Sequence, residues 1–167
     1  MSSTHDNPFR PDYAPKTNAA IFGSGATKSQ ALAALETLRG FVGESQLAAL
    51  RSGMRGQEKQ FFFDKAVELS KLIAAMPKTY EQDGVGELAV VHLHYFKNGC
   101  DWFITEKDSD PDGEGQVQAF GLADLFRDGG ELGYVSIVEI LSAGGELDFY
   151  FKPRALGEIR AEREFER

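Results

Sequence analysis

The two histidines His92 and His94 are separated by a single residue in an apolar segment, residues 88–96. Alternate side chains of a β-strand point to the same face, so both imidazoles are expected on one side of a strand. Zn²⁺ in proteins is held by His, Cys and carboxylate side chains, and a site needs at least a third ligand. Third ligands are available at Cys100, Asp101 and Glu106. The pair therefore permits zinc or another divalent metal, but the favoured interpretation is two imidazoles hydrogen-bonded to nearby acids.

An acidic segment follows at residues 108–115, and its first six residues have the spacing of a calcium-binding loop. The twelfth position of such a loop requires a bidentate Glu, and here it is Ala119. We therefore expect an exposed, solvated loop rather than a calcium site. Its carboxylates form the predicted partner-binding surface: Asp108, Asp110, Asp112 and Glu114.

The chain offers little material for nucleophilic catalysis, and no catalytic residue is predicted. Cys100 precedes Asp101, whose charge would raise the pKa of the thiol, and the sequence has no Gly-x-Ser-x-Gly elbow. Residues 23–29 resemble a phosphate-binding loop, but Thr27 stands where the Gly before the Lys is required. These features favour a protein that is not an enzyme.

The charge of the chain is concentrated in its C-terminal half. The net charge is −8, and residues 85–167 carry 17 acidic and 8 basic side chains. Such a field repels nucleic acid and attracts basic protein surfaces. The single cysteine and the lack of a long apolar run predict a cytoplasmic protein that does not bind a membrane.

Residues 1–26 contain three prolines and no apolar period, which predicts an irregular N-terminal arm. Residues 27–167 are expected to form a single α+β domain. Three N-terminal helices are predicted, the first from a capping box of Thr27 and Gln30 and the third ending before Pro77. Tyr80 is expected to pin the linker that leads into the sheet.

Short runs of β-branched and aromatic residues predict a four-stranded, mainly antiparallel sheet. The strands are expected near residues 88–96, 102–105, 116–120 and 146–151, with an Asn98-Gly99 hairpin after the first. Residues 122–126 are predicted as one helical turn. Ser136 is expected to cap a short helix, and a last helix is expected from about residue 154 to 165.

Several segments of the sheet region carry a family resemblance: Trp102-Phe103 with Thr105-Glu106, Phe120-Gly121-Leu122, Glu131-Leu132-Gly133-Tyr134, and Phe149-Tyr150-Phe151. Residues 88–152 resemble a bacterial domain-of-unknown-function family that is carried on plasmids, integrated elements and phages. The sequence departs from the family pattern at Asp148, which no basic residue precedes. The resemblance implies a genetic setting rather than a reaction, because the family has no established catalytic residues to assign to this sequence. In the Glu131–Tyr134 segment we expect Gly133 to let the chain turn and Tyr134 to pack on the sheet edge.

The first functional hypothesis is a non-enzymatic, protein-binding accessory factor of a mobile genetic element. As an inhibitor of anti-CRISPR or antirestriction type, it would act on a host nucleic-acid defence system. Its acidic surface would occupy the basic, nucleic-acid-binding surface of a host protein complex. No cofactor is expected under this hypothesis. The alternatives are a small metal-dependent hydrolase or nuclease centred on His92 and His94, and a self-associating plasmid-maintenance protein.

Overall fold

The computed structural model describes residues 25–110 and 112–165. The N-terminal arm predicted for residues 1–26 therefore lies almost entirely outside the described residues. The helices are α1 (Lys28–Leu38), α2 (Glu44–Gly53), α3 (Lys59–Ala75), α4 (Ile137–Ser142) and α5 (Leu156–Phe165). The strands are β1 (Val90–Val91), β2 (Leu93–Lys97), β3 (Cys100–Glu106), β4 (Ala119–Asp124), β5 (Glu131–Val135), β6 (Glu146–Leu147) and β7 (Arg154–Ala155).

The N-terminal helices begin and end close to the predicted residues because their signals are local. The Thr27 side chain accepts a hydrogen bond from the backbone N–H of Gln30 at 3.2 Å, and the Gln30 side chain accepts one from that of Thr27 at 2.8 Å. This reciprocal pair satisfies two amide groups that the first turn of α1 leaves free. The predicted capping box is thus present.

Five strands form the main sheet in the order β5-β4-β3-β2-β6, and all neighbours are antiparallel. One face packs on α1, α2 and α3 through Leu93, Tyr95 and Ile104. Tyr95 is fully buried, and its hydroxyl donates to the carbonyl of Phe41 at 2.7 Å. That bond satisfies the one polar group which this side chain brings into the apolar layer.

The opposite face of the sheet carries α5 and the small sheet formed by β1 and β7. Leu156 and Ile159 of α5 pack on Phe103 and Leu122 of the sheet, with Val91 beside them. The five-stranded sheet therefore lies between the N-terminal helices and α5. The α+β class is as predicted.

Four expectations about the sheet region are wrong. The sheet has five strands rather than the predicted four, because Glu131–Val135 forms β5, where the sequence predicts no strand. Residues 122–126 do not form a helical turn, because β4 continues to Asp124 and places Leu122 and Asp124 on one face. Gly133 does not turn the chain, since it pairs with Gly121 in the middle of the β4–β5 ladder. The last predicted strand stops at Leu147, where the Asp148 side chain accepts from the backbone N–H of Tyr150 at 2.9 Å and holds a turn.

The Phe-rich stretch of α3 is divided between core and surface. Phe63 is buried, Phe62 is partly buried against the core, and Phe61 is 47% exposed. Within residues 25–110 and 112–165, every helix is too short or too polar to cross a lipid bilayer.

Candidate functional site

A cavity of about 440 Å³ lies at the β5 side of the sheet, on the face that also carries α5. Its floor is a row of side chains across three adjacent strands, Glu106 on β3, Phe120 on β4 and Tyr134 on β5, which are register partners. The remaining walls come from the segment that enters the sheet, from Leu132 and from the first residue of α5, Leu156. Three of the segments that carry the family resemblance therefore meet here.

An irregularity in β3 brings Glu106 into this row. The register shifts between Ile104 and Glu106, so that two steps along β3 correspond to one step along β4. Regular alternation would have placed Glu106 on the same face as Ile104, towards the N-terminal helices. A β-bulge of this kind re-aims a side chain, and here it turns the carboxylate towards the cavity.

Glu106 is 4% exposed, and its carboxylate holds the segment that covers the cavity. One oxygen, Oε2, accepts from the backbone N–H of Tyr80 at 2.9 Å, and the other, Oε1, accepts from that of Gln82 at 2.6 Å. Tyr80 has a φ of 80°, which is uncommon for a residue other than glycine. The bonds to Glu106 stabilise this conformation, and it leaves the Tyr80 side chain 69% exposed at the rim.

The amide side chain of Gln82 fixes the same segment to the sheet. Its Nε2 donates to the carbonyls of Val90 at 3.1 Å and Thr105 at 2.9 Å, while its Oε1 accepts from the backbone N–H of Val90 at 2.8 Å. Both N–H donors and the carbonyl oxygen of this amide are therefore hydrogen-bonded. Glu106 and Gln82 thus hold the linker to the sheet together with Tyr80, the residue expected to do so, whose side chain contacts Tyr134 on β5.

Two tyrosines meet across the rim of the cavity. The hydroxyls of Tyr80 and Tyr134 are hydrogen-bonded, and their ring centroids lie 6.4 Å apart with the planes at 78°. The Phe120 ring lies edge-to-face with Tyr134 at 5.9 Å. The hydrogen bond to Tyr80 raises the pKa of the Tyr134 hydroxyl, so this phenol stays neutral around pH 7. Tyr134 packs on the sheet edge, as expected from the sequence.

His94 lies in a separate cluster of polar side chains between the sheet and α5. Its Nε2 lies 2.8 Å from Oδ1 of Asp101 and its Nδ1 lies 3.4 Å from Oδ2 of Asp148. The other Asp101 oxygen accepts from Arg163 of α5 at 2.8 Å, and Arg163 also donates to the buried Asp124. The His94 ring is stacked on Phe103 at 4.6 Å with an interplanar angle of 7°.

The structure does not assemble a metal centre around the predicted pair. His94 already has an acid at each ring nitrogen, and His92 lies between β1 and β2, where burial lowers the pKa of its imidazole. Of the predicted third ligands, Asp101 lies beside His94, whereas Glu106 bonds to the amides of residues 80 and 82. In the described parts of the chain, no group of three or more His, Cys, Asp or Glu side chains is arranged to hold a metal ion.

The acidic loop is held in shape by two of its own aspartates. The Asp108 carboxylate accepts from three backbone amides, those of Asp110, Val117 and Gln118. Asp110 accepts from the amide of Gly115 at 3.0 Å. Of the four predicted partner-binding residues, these two therefore stabilise the loop, while Asp112 and Glu114 are exposed to solvent.

Sequence reasoning missed the roles of Glu106 and Gln82 because both depend on contacts across more than twenty residues. The sequence predicts Glu106 only as a possible metal ligand. The available signal is a glutamate at the end of an apolar strand, where its charge requires a partner if it is buried. No comparable signal marks Arg163, which lies in a helix of alternating charge.

The fold and the site define an α+β protein with a partly apolar, acidic cavity between a sheet edge and a covering segment. Residues 65–154, more than half of the chain, match the model of a family described as "Protein of unknown function (DUF2958)". The chain belongs to this family, and the match contains all of residues 88–152. No curated protein and no solved structure matches the chain.

Proposed function

We propose that this protein is a non-enzymatic, protein-binding accessory factor of a mobile genetic element. It inhibits a host nucleic-acid defence complex, as an anti-CRISPR or antirestriction protein does. Its acidic surface occupies a basic site of that complex which otherwise binds nucleic acid. The observation that carries the proposal is the acidic loop, which is braced internally and directs Asp112 and Glu114 outward.

The proposal is supported by the small loss of conformational entropy expected when a partner binds the acidic loop. A loop already fixed by four backbone-to-carboxylate hydrogen bonds loses little conformational entropy when a partner binds it. The charge of the C-terminal half, with 17 acidic and 8 basic residues, adds long-range attraction to a basic surface. Such attraction raises the association rate and weakens as salt screens it.

The test is affinity capture from bacterial lysate with the wild-type protein and with the double variant Asp112→Lys/Glu114→Lys. These two positions are exposed, so their reversal leaves the bonds of Asp108 and Asp110 in place. We expect the wild type to capture a nucleic-acid-handling complex that the variant does not retain. A duplex oligonucleotide should compete with the wild-type protein for the purified complex.

The matched control is Glu58→Lys/Glu164→Lys, which changes the net charge equally at two exposed positions, one just before α3 and one in α5. Capture must persist with this control if the loop, rather than the overall charge, makes the contact. Equal capture by the loop variant and the wild type would contradict the proposal.

The metal-dependent hydrolase centred on His92 and His94 stays a prediction that no feature of the described residues favours. Metal analysis of the purified protein, with His92→Ala as the control, checks it directly. Light scattering over a range of protein concentrations checks the self-associating alternative.

A further inference from the structure

We propose that the cavity between β5 and the segment of residues 79–89 binds the guanidinium group of an arginine carried by an extended segment of a partner protein. The inference rests on the proposed function in one respect, namely that the partner is a protein with a basic surface. It assigns a binding site that is separate from the acidic loop.

The charge of the cavity selects a cation. Glu106 is 4% exposed, and no ion pair joins it to a basic side chain in residues 25–110 and 112–165. The ionisable lining residues are two acids, Glu106 and Asp83, and two tyrosines, Tyr80 and Tyr134. Each oxygen of Glu106 accepts one amide bond, and each keeps a second lone pair. A carboxylate with two acceptor oxygens matches the planar fork of a guanidinium.

The aromatic lining suits the same group. Tyr80 and Phe120 both stand nearly perpendicular to Tyr134, at 78° and 86°, so the three rings present walls rather than a flat stack. A guanidinium packs on aromatic faces through cation–π attraction, which grows when the contact is shielded from water. The apolar side chains of Leu132 and Leu156 contact the methylene stem of the incoming arginine.

The edge of the sheet indicates that the ligand is part of a protein segment rather than a free small molecule. Among residues 25–110 and 112–165, β5 is the terminal strand of the sheet and pairs with β4 alone. An extended segment that pairs with the outer edge of β5 gains main-chain hydrogen bonds. Its alternate side chains then lie beside Leu132 and Tyr134, which line the cavity from the same strand.

The experiment is a titration of the full-length ¹⁵N-labelled protein with an acetylated, amidated pentapeptide, Thr-Val-Arg-Val-Thr. The comparison peptide replaces arginine by citrulline, which keeps the shape and removes the charge. We expect amide shifts at Tyr80, Gln82, Glu106 and the β5 residues, and an affinity at least about tenfold lower for citrulline, since a hydrogen bond to a charged group contributes about 1.5 kcal/mol or more. Free arginine amide should bind at the same amides, and more weakly.

Two variants test the residues. Glu106→Gln removes the charge and should reduce the arginine affinity to that of citrulline, and a thermal melt shows whether this variant folds. Tyr134→Ala lies at a position that is 58% exposed, so it tests the aromatic wall with little demand on folding. Phe126→Ala, at a position 83% exposed and outside the cavity lining, is the matched control and should bind like the wild type.

Equal shifts with citrulline would overturn the inference, as would shifts confined to residues 108–118 or the absence of shifts with both peptides. If free arginine bound as tightly as the peptide, the claim that the arginine is carried by an extended protein segment would be refuted. Because this titration uses no host partner, its outcome is independent of the capture experiment. Arginine binding combined with unchanged capture by Asp112→Lys/Glu114→Lys would retain the cavity site and refute the acidic-loop interface.

Discussion

Asp108 accepts hydrogen bonds from three backbone amides at 2.9 to 3.2 Å, and its neighbour in the loop, Asp112, is exposed. Burial opposes ionisation of Asp108, but these amides outweigh it and lower the pKa of the carboxyl below its usual 3.8. The two residues have the same side chain and lie four positions apart. The difference between a structural and an exposed carboxylate comes from the fold of the loop around them.

We predict that Asp108→Ala destabilises the protein by about 1–3 kcal/mol, because it leaves three amides without their acceptor. A lowered pKa stabilises the fold above pH 3.8, and that contribution is lost as the pH falls through the folded-state value. The difference between wild type and variant should therefore narrow in acid. Urea unfolding at pH 7 and at about pH 3 measures it.

Asp112→Ala is the matched control and should change the free energy of unfolding by less than about 0.5 kcal/mol, as is usual for exposed positions. A gap between Asp108→Ala and wild type that widened in acid would contradict the assignment.

At the scale of elements, the approach of β3 to β4 depends on Gly121, which faces Gly133 across β4 and β5. A Cβ added at Gly121 would lie 2.1 Å from the carbonyl oxygen of Phe103 and 2.9 Å from the Cα of Ile104. A Cβ at Gly133 would meet no atom within 4 Å. Close approach of β3 at its bulge therefore requires glycine on one strand of the pair.

We predict that Gly121→Ala destabilises the fold by about 2–4 kcal/mol, since backbone atoms must move to make room. Gly133→Ala at the opposite position should be nearly neutral or slightly stabilising, because alanine reduces the entropy of the unfolded chain. Thermal or urea unfolding of the two variants checks this. Equal losses at both positions would show that the β3–β4 approach is looser than the structure indicates.

At the scale of the whole molecule, Arg163 fastens the C-terminal helix to the sheet. Its partly buried guanidinium lies between Asp101 and Asp124, residues that are 62 and 39 positions away in the chain. Burial raises the pKa of Asp124, but the hydrogen bond and charge of Arg163 outweigh it and hold that pKa below 3.8. α5 is thus held on the face opposite the N-terminal helices by one partly buried cation as well as by apolar contacts.

We predict that Arg163→Leu costs about 3–5 kcal/mol at pH 7, because it leaves the buried carboxylate of Asp124 without its counter-ion. Without the arginine, burial raises the pKa of Asp124, so the variant should recover part of the lost stability as the pH falls towards 4. Urea unfolding between pH 4 and pH 7 measures both effects.

Arg160→Leu is the matched control on the same helix, since its partner Glu87 is more than half exposed. Exposed pairs contribute about 0–1 kcal/mol, so this variant should unfold close to the wild type. A similar loss for Arg160→Leu would indicate that helix propensity or packing, rather than the buried ion pairs, accounts for the effect of Arg163→Leu.

The amino-acid sequence alone determined the features that depend on neighbouring residues. The α1 capping box of Thr27 and Gln30, the Ser136 cap of α4 and the Asn98-Gly99 turn all require contacts within a few residues. Such contacts are fixed by side-chain type and backbone preference, so they can be predicted without the rest of the chain. The α+β class follows from the same local signals.

Only the tertiary structure decided where the cavity lies and which acidic side chains line it. The bulge that turns Glu106 to the α5 face exists because β3 pairs with β4, and Tyr80 keeps its unusual φ because Glu106 accepts its amide. β5 was missed since its five residues become a strand through pairing with β4, which local propensity does not record. Contacts between distant residues carry no period or motif in the sequence, and they are what convert separate segments into one site.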